Sequence, residues 1–208
     1  MNKITLFDLD KTLIKSDSMF LFLCYGIKKN PFTSFIIFPI LVSTILYKLK
    51  FISAKKAKEY YYYPINYLQE EEIKTFYEQI LKDKLYKEAV KELKRRKKEG
   101  YYNLVISASP YAYIKYFKEH PYIDDVIGTE LYMHEGRYTN KILGNNCKGK
   151  EKVVRINKHL ENKGLKINFE QSYAYSDSLS DSPMFSLVQN KYVINYRGKT
   201  NLQKKNWK

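Results

Sequence analysis

The sequence predicts an α/β fold, in which a parallel β-sheet carries helices on both faces and is interrupted by an inserted helical cap. Short apolar stretches, each closed by small or polar residues, alternate along the chain with segments of helical spacing. The chain has 208 residues, of which 44% are hydrophobic and 16% aromatic, so it can bury a full core. The segment between the first two apolar stretches is too long for a simple crossover and differs in composition.

Five brief apolar stretches are predicted to be strands. They cover residues 3–9, 102–107, 125–131, 173–176 and 191–195. Alternation of these strands with helices predicts a parallel order in the sheet. Because parallel strands place their carboxyl ends at one edge, we expect the chemistry to collect at that edge.

Three helices are predicted from the spacing of apolar residues. They cover residues 70–98, 111–119 and 150–162. The segment 17–98 is predicted to be the inserted cap, whereas 1–16 and 99–208 together are predicted to form the catalytic core.

A stretch within the predicted cap, residues 31–47, carries no charge. Its length is at the lower edge of the roughly 17 to 25 residues that span a bilayer core as a helix, and Pro39 near its middle weakens a straight span. Three interpretations stay open: cap helices that bury one another, a helix pair docked in one leaflet, and a true span. Docking would place the lysines that follow at anionic headgroups, and it fits at least as well as a span; these lysines are Lys48, Lys50, Lys55, Lys56 and Lys58.

The formal net charge is +15, from 37 Lys and Arg against 22 Asp and Glu. Such a charge attracts polyanions, namely nucleic acid, anionic lipids or phosphorylated substrates. The codon bias of an A/T-rich genome explains the excess of Lys and the 21 Tyr equally well. The sequence has no RNP-like, KH or zinc-finger pattern, so we expect no nucleic-acid partner, and a basic nucleic-acid-binding protein is only a distant alternative.

The location predicted from the sequence is the cytoplasm, with peripheral attachment to the inner membrane face as an added possibility. Two cysteines without CxxC spacing predict neither a disulfide framework nor a cysteine zinc site, and they favour a reducing compartment. Asp8 and Asp10 stand where a secretory signal needs an unbroken apolar run, which argues against export.

Polar or small residues stand at three predicted strand ends and at one helix start. They are Asp8, Asp10, Thr12, Ser107, Ala108, Ser109, Lys152, Asp177 and Asp181. A single DxD pair is a common turn feature, but two acid clusters, a hydroxyl and a lysine at one edge of a sheet are far more specific. The hydroxyl of Ser107 and the amides of the next two residues would suit an anion at a helix start.

The order and spacing of these residues resemble the haloacid dehalogenase superfamily, whose four motifs are DxDxT, a strand-end Ser or Thr, a Lys and a terminal acid pair. The sequences FDLDKTL, VISAS, CKGKEK and YSDSLSD carry the resemblance. It extends to subfamily IB, the branch similar to phosphoserine phosphatase and to phosphatidylglycerophosphatases of the C type, which has a helical cap between the first two motifs. Residues 127–152 look like its strand, hairpin and G-x-x-K passage. The resemblance covers nearly the whole chain and implies a Rossmann-like core.

The resemblance implies a magnesium-dependent phosphomonoester hydrolase. Asp8 would attack phosphorus to give an aspartyl phosphate, and Asp10 would protonate the leaving group and then activate water. Mg²⁺ would be held by Asp8, the main-chain carbonyl of Asp10 and Asp177, because a hard cation prefers oxygen ligands.

The resemblance also implies which residues bind and support the phosphate. The residues expected to bind its oxygens are Ser107, Ala108, Ser109 and Lys152. Asp181 would orient ligands or waters, and Thr12 would steady the turn after the first strand.

The substrate stays open between a membrane lipid phosphate, such as phosphatidylglycerophosphate, and a small soluble ester similar to phosphoserine. In the phosphoserine phosphatase family a Glu nine residues after the nucleophile meets the substrate amine, and a cap Arg meets its carboxylate. This chain has Asp17 at that offset and no arginine before Arg95. The uncharged stretch followed by lysines therefore favours a lipid phosphate admitted by a cap at an anionic membrane surface.

Overall fold

The computed structural model describes all residues, 1–208, and contains eight strands. They are β1 (Ile4–Asp8), β2 (Tyr102–Pro110), β3 (Asp125–Thr129), β4 (Leu131–His134), β5 (Arg137–Ile142), β6 (Tyr173–Ser176), β7 (Asn190–Ile194) and β8 (Gln203–Lys205). β4 and β5 form an antiparallel hairpin, and the other six strands form one sheet in the order β3-β2-β1-β6-β7-β8. All neighbours in this sheet are parallel, which confirms the predicted fold class.

Eight α-helices surround the sheet or lie in the segment 16–83, which we call the insert. They are α1 (Ser18–Lys29), α2 (Ile37–Lys48), α3 (Ala54–Tyr61), α4 (Glu70–Phe76), α5 (Lys87–Lys98), α6 (Tyr111–Ile114), α7 (Lys150–Asn162) and α8 (Ser182–Phe185). α7 has the predicted bounds, whereas the predicted helix over 111–119 is α6 followed by a 3₁₀ turn.

β1 lies in the middle of the sheet because its side chains are apolar on both faces. Ile4 and Leu6 pack into one hydrophobic cluster, and Phe7 packs into another on the opposite face. A strand that is buried on both sides is typical of a parallel sheet covered by helices. This burial fixes the position at which β1 ends, and it therefore fixes the carboxylate of Asp8.

The single helix predicted over 70–98 is wrong. The chain leaves helical geometry at Leu85 and Tyr86, between α4 with its following turns and α5. Leu85 forms an antiparallel bridge with Ile14, and the amide of Tyr86 donates to the carbonyl of Leu13 at 2.9 Å. Pairing with a distant segment overrides the helical spacing of the apolar residues.

A short two-stranded neck, Leu13–Lys15 with Lys84–Tyr86, joins the insert to the sheet. Besides the contacts above, the amide of Lys15 donates to the carbonyl of Lys84 at 2.9 Å. α5 lies within the predicted cap but packs on the sheet side, where Arg96 donates to the hydroxyl of Tyr175 at 3.2 Å. The division into core 1–16 and 99–208 and cap 17–98 stays a prediction.

The uncharged stretch forms a 3₁₀ turn (Pro31–Ile36) followed by α2. By length and composition, Pro31–Lys48 is sufficiently long and apolar to cross a membrane, with a mean hydropathy of 1.5, and 22% of it is buried. Ile36, Ile40 and Ser43 face the rest of the insert. Mutual burial of cap helices therefore accounts for only one side of this segment.

Candidate active site

A cavity of about 260 Å³ lies at the carboxyl ends of β1, β2 and β6. The predicted cap also contributes to its lining, through Asp17 and Met19 near the start of α1 and Lys58 of α3. The predicted site residues that line the cavity are Asp8, Asp10, Ala108, Ser109, Lys152, Asp177 and Asp181. The edge of the sheet at which chemistry was expected is thus the edge at which these residues meet.

Thr12 connects the ends of β1 and β6. Its buried hydroxyl donates to Oδ2 of Asp8 at 3.3 Å and accepts the amide of Asp177 at 2.8 Å. The chain reaches this position through a tight turn in which Lys11 has a φ of 57°, the left-handed region that few side chains adopt. Thr12 thus links Asp8 to Asp177 through one hydroxyl group.

Lys152 forms a buried ion network with two carboxylates on the cavity floor. Its Nζ lies 2.6 Å from Oδ1 of Asp8 and 2.7 Å from Oδ2 of Asp181. Asp181 also accepts the hydroxyl of Ser176 at 2.7 Å, so its orientation is fixed from two sides. Two acids share one lysine here, which leaves the floor with excess negative charge at high pH.

Burial raises the pKa of Asp8 from 3.8 to about 7, against the charge of Lys152, which lowers it. The nearby carboxylates of Asp181 and Asp10 raise the pKa of Asp8 further. Burial alone lowers the pKa of Lys152, but the two carboxylates outweigh it and hold that pKa above its ordinary value. Lys152 is therefore a cation across the neutral range, whereas the charge of Asp8 depends on its surroundings.

Asp10 is held apart from this network by donors of its own. Its Oδ1 accepts the amide of Ser18 at 2.6 Å, and its Oδ2 accepts the hydroxyl of Ser109 at 2.8 Å and that of Ser107 at 3.4 Å. Burial raises the pKa of Asp10, although the hydrogen bonds from Ser18 and Ser109 lower it. The two acids of the DxD pair thus have separate environments, which suits two different roles.

The predicted anion cradle differs from expectation in its donors. The amide of Ser109 donates to the hydroxyl of Ser107 at 3.0 Å, so it is not free for a ligand. β2 continues to Pro110, and α6 begins beyond it with only four residues. The phosphate-binding roles of Ser107, Ala108 and Ser109 stay predictions.

The donor set fits a magnesium ion. Burial raises the pKa of Asp177, as it does for Asp8 and Asp10, and all three side chains line the cavity. A divalent cation would compensate desolvated carboxylates of this kind and prefers oxygen ligands. No three acidic, histidine or cysteine side chains are arranged to hold a metal by themselves. The predicted site has two carboxylates, those of Asp8 and Asp177, with the main-chain carbonyl of Asp10, and this ligand set stays a prediction.

Lys58 is a site residue that sequence reasoning missed, since it was grouped with the lysines expected at lipid headgroups. Its Nζ donates to the carbonyl of Ala108 at 3.0 Å and to Oδ1 of Asn146 at 3.1 Å. Burial lowers the pKa of Lys58 to about 8, although Asp10 raises it. The available signal is helical spacing, because Lys58 lies four residues before the fully buried Tyr62, whose hydroxyl also contacts Ala108.

The sequence of this chain resembles a known protein family and, over part of its length, an individual relative. The model of haloacid dehalogenase-like hydrolases matches residues 5–186. A histidinol-phosphatase of Neisseria meningitidis serogroup C (strain 8013) is 33% identical over 75 residues, which are 35% of this chain and 34% of that protein. The match thus spans about a third of that relative.

Solved structures resemble almost the whole chain. A protein of unknown function from Bordetella pertussis Tohama I has a TM-score of 0.82 and 22% identity, with 94% of this chain and 91% of that one covered. A substrate-bound phosphoserine phosphatase has a TM-score of 0.67 and 19% identity, with 94% and 87% covered. At these identities the likeness shows the fold.

Proposed function

This chain belongs to the haloacid dehalogenase-like hydrolase family, and from that premise we propose that it is a magnesium-dependent phosphomonoester hydrolase that acts through an aspartyl phosphate. The observation that carries the proposal is the buried pair of Asp8 and Lys152, 2.6 Å apart on the cavity floor, with the carboxylate of Asp10 held separately. A nucleophile, a fixed cation and a second acid are the groups that phosphoryl transfer through a carboxylate requires.

Asp8 is the proposed nucleophile. Its carboxylate is fixed by Lys152 on one oxygen and by Thr12 on the other, so a substrate phosphate in the cavity meets it in a defined orientation. Attack by an Asp8 oxygen forms a bond to phosphorus as the bond from phosphorus to the alcohol oxygen breaks. Lys152 favours the ionised form of Asp8 and neutralises charge on the phosphoryl oxygens.

Asp10 is the proposed acid and base. Its raised pKa lets the carboxyl carry a proton, which it gives to the leaving alcohol oxygen as the aspartyl phosphate forms. The resulting carboxylate then takes a proton from water as that water attacks phosphorus, which releases phosphate and restores both acids. Ser18 and Ser109 hold Asp10 in one orientation through both steps.

Magnesium, held by Asp8, Asp177 and the main-chain carbonyl of Asp10, would supply further neutralisation of phosphate charge. The cavity also presents Lys11, Lys58 and Lys148 to a phosphorylated ligand. No arginine lines it, so a bidentate clamp on a substrate carboxylate has no source there. A phosphoserine-like substrate is therefore less well supported than an ester without a carboxylate.

The substrate class that we favour is a lipid phosphate monoester, because the insert that helps to line the cavity also exposes a large apolar surface. A small soluble amino-alcohol phosphate is the second candidate, and the local match to a histidinol-phosphatase supports it. A cavity of about 260 Å³ admits a phosphate and a few further atoms of either ester. For both candidates we propose a cytoplasmic location.

The experiment that tests the chemistry is acid quenching of the purified protein with magnesium and a radiolabelled phosphate ester. With an ester whose leaving group needs no proton, such as p-nitrophenyl phosphate, we expect Asp10→Asn to accumulate acid-stable, hydroxylamine-sensitive label, because the first step then needs no acid and the second step lacks its base. Asp8→Asn, which keeps a similar shape, is expected to show no label. Equal labelling of the Asp8→Asn protein would contradict the proposal, as would hydrolysis of ester panels that is indifferent to chelation of magnesium.

A further inference from the structure

The insert presents an apolar surface to solvent that its own fold does not cover. We name it the α2 face, and its exposed members are Phe32, Phe35, Ile37, Phe38, Leu41, Val42 and Ile45. Phe38 is 73% exposed and Leu41 is 58% exposed. Contiguous apolar surface of this kind on a soluble protein marks an interaction site.

The sequence that contains the α2 face carries charges of one sign. Between Asp17 and Glu59 the sequence contains no acidic residue. The lysines in the same interval are Lys28, Lys29, Lys48, Lys50, Lys55, Lys56 and Lys58. Lys58 faces the cavity, whereas Lys28, Lys29, Lys48 and Lys50 are exposed at the ends of α1 and α2. An apolar surface bordered by cations complements an anionic bilayer.

The way in which α2 is attached also suits a helix that lies in a membrane surface. Ile36 and Ile40 pack with Leu23 in a small buried cluster, and Thr44 contacts the hydroxyl of Tyr61 at 3.2 Å. One side of the helix is thereby bound to the insert, and the opposite side is free to enter the boundary between headgroups and acyl chains.

An apolar cavity of about 300 Å³ lies between α2 and the segment that leads into α3. Its lining includes Phe38, Val42, Leu46 and Ile52, with Lys56 at the same cavity. A space lined by apolar side chains beside one cation suits the first part of an acyl chain beside an anionic headgroup.

We propose that the α2 face docks on an anionic lipid bilayer and that the phosphate ester hydrolysed at Asp8 is part of a lipid in that bilayer. The second half of this inference rests on the proposed function, whereas the first does not. α1 contributes to both regions, because Met19 lines the catalytic cavity and Leu23 packs with Ile36 and Ile40 beneath the α2 face. The surface proposed to dock and the wall of the catalytic cavity thus share one helix.

The test of docking is flotation of the purified full-length protein with vesicles of phosphatidylcholine alone or mixed with phosphatidylglycerol. We expect binding to the mixed vesicles that weakens as salt is raised. Phe38→Ser combined with Leu41→Ser is expected to weaken binding at least about tenfold. Lys48→Glu combined with Lys50→Glu is expected to weaken it at least about 25-fold, with about fivefold for each lysine.

Matched control variants lie on α7. Val154 is 59% exposed and Lys158 is exposed, and neither is part of the α2 face. Val154→Ser and Lys158→Glu are expected to leave flotation unchanged. Absence of binding to mixed vesicles, or equal loss in these controls, would overturn the inference. A dimer in sedimentation equilibrium that Phe38→Ser with Leu41→Ser dissociates, without vesicle binding, would assign the face to a second copy and overturn it too.

The substrate half is tested with a lipid phosphate monoester in the mixed vesicles and with p-nitrophenyl phosphate in solution. The docking variants are expected to lose at least about tenfold of the vesicle activity and to keep the soluble activity. Asp8→Asn is expected to bind vesicles normally and to hydrolyse neither ester. Vesicle binding without any hydrolysis by the unmodified protein would defeat the proposed function alone, whereas soluble activity without binding would defeat this inference alone.

Discussion

The floor of the catalytic cavity and the α2 face differ in which side chains they bury. The floor buries charged groups, and each of them has a partner, as Asp8 and Asp181 have in Lys152. The α2 face exposes apolar groups such as Phe38 and Leu41 to solvent. A buried charge destabilises a protein unless it is paired. A large apolar surface that the chain leaves exposed marks a site of interaction with another molecule. The buried charges of the floor find their partners within the chain, whereas no part of the chain covers the α2 face.

The largest effect is expected from removing the cation of the cavity floor. Lys152→Met leaves two buried carboxylates without a counter-charge, so we expect kcat/KM to fall about 10³-fold. Lys152 lowers the pKa of Asp8, so its loss raises that pKa above about 7 and moves the acid limb of the pH profile to higher pH. Initial rates with a soluble ester between pH 5 and 9 measure both effects.

Lys148→Met is the matched control for this change, since Lys148 lines the same cavity but is exposed. It is expected to keep the shape of the pH profile. If the acid limb of Lys152→Met is not shifted, the pKa of Asp8 does not depend on its ion pair with Lys152.

The next effect contrasts two adjacent residues of α2. Ile40 is 5% exposed and Leu41 is 58% exposed. We expect Ile40→Ala to lower the free energy of unfolding by about 2 to 3 kcal/mol and Leu41→Ala to change it by less than about 0.5 kcal/mol. Urea unfolding without lipid measures both. Equal losses would mean that the chain or its assembly already covers the α2 face, which would remove the contrast between the two regions.

A smaller effect is expected from the donor that holds Asp10. Ser109→Ala removes a 2.8 Å hydrogen bond that lowers the pKa of Asp10, so this pKa rises and less base is present near neutral pH. We expect kcat to fall about tenfold and its acid limb to move to higher pH. Ser109→Thr keeps the hydroxyl and is expected to restore both. A threonine variant as impaired as the alanine variant would point to packing rather than to the hydrogen bond.

The smallest effect is expected where the insert meets the core. Burial lowers the pKa of Lys58 to about 8, so its positive charge is lost as the pH rises through that value. We expect Lys58→Met to raise KM about fivefold at pH 7 and to abolish the decline of kcat/KM above about pH 8. Lys56→Met, on the same helix but outside the catalytic cavity, is the control for soluble esters. If the decline of kcat/KM persists in Lys58→Met, the titration of another group causes it.

Much of the catalytic side could be predicted from the sequence because its signals are local. β6 and α7 have the predicted bounds, and the strand-end acids Asp8 and Asp177 lie at one cavity. Parallel strands carry such residues to a common edge whatever lies between them, so the order of the motifs was sufficient. The match over residues 5–186 confirms the predicted family.

The rest depended on contacts between distant segments. The break at Leu85 follows from pairing with Ile14, which no helical periodicity near residue 85 reveals. Lys58 reaches Ala108, which lies 50 positions away, and nothing in its lysine-rich surroundings distinguishes it by composition. The sequence also could not tell how much of residues 31–47 is buried, because an apolar helix has the same sequence pattern whether it is covered or exposed.

The neck brings both chain connections of the insert to one place. They lie side by side, with the amide of Tyr86 donating to the carbonyl of Leu13, so the two ends of the insert are close together in space. The entropy of closing such a loop grows only slowly with its length, and segments of very different size fit the same two anchor points. An exchanged insert would still have to offer a backbone donor to Asp10, as Ser18 does, and to refill the hydrophobic cluster that Phe22 and Phe76 share with Tyr113. The junction therefore tolerates changes in the length of the insert more easily than changes in the surface that packs on the core.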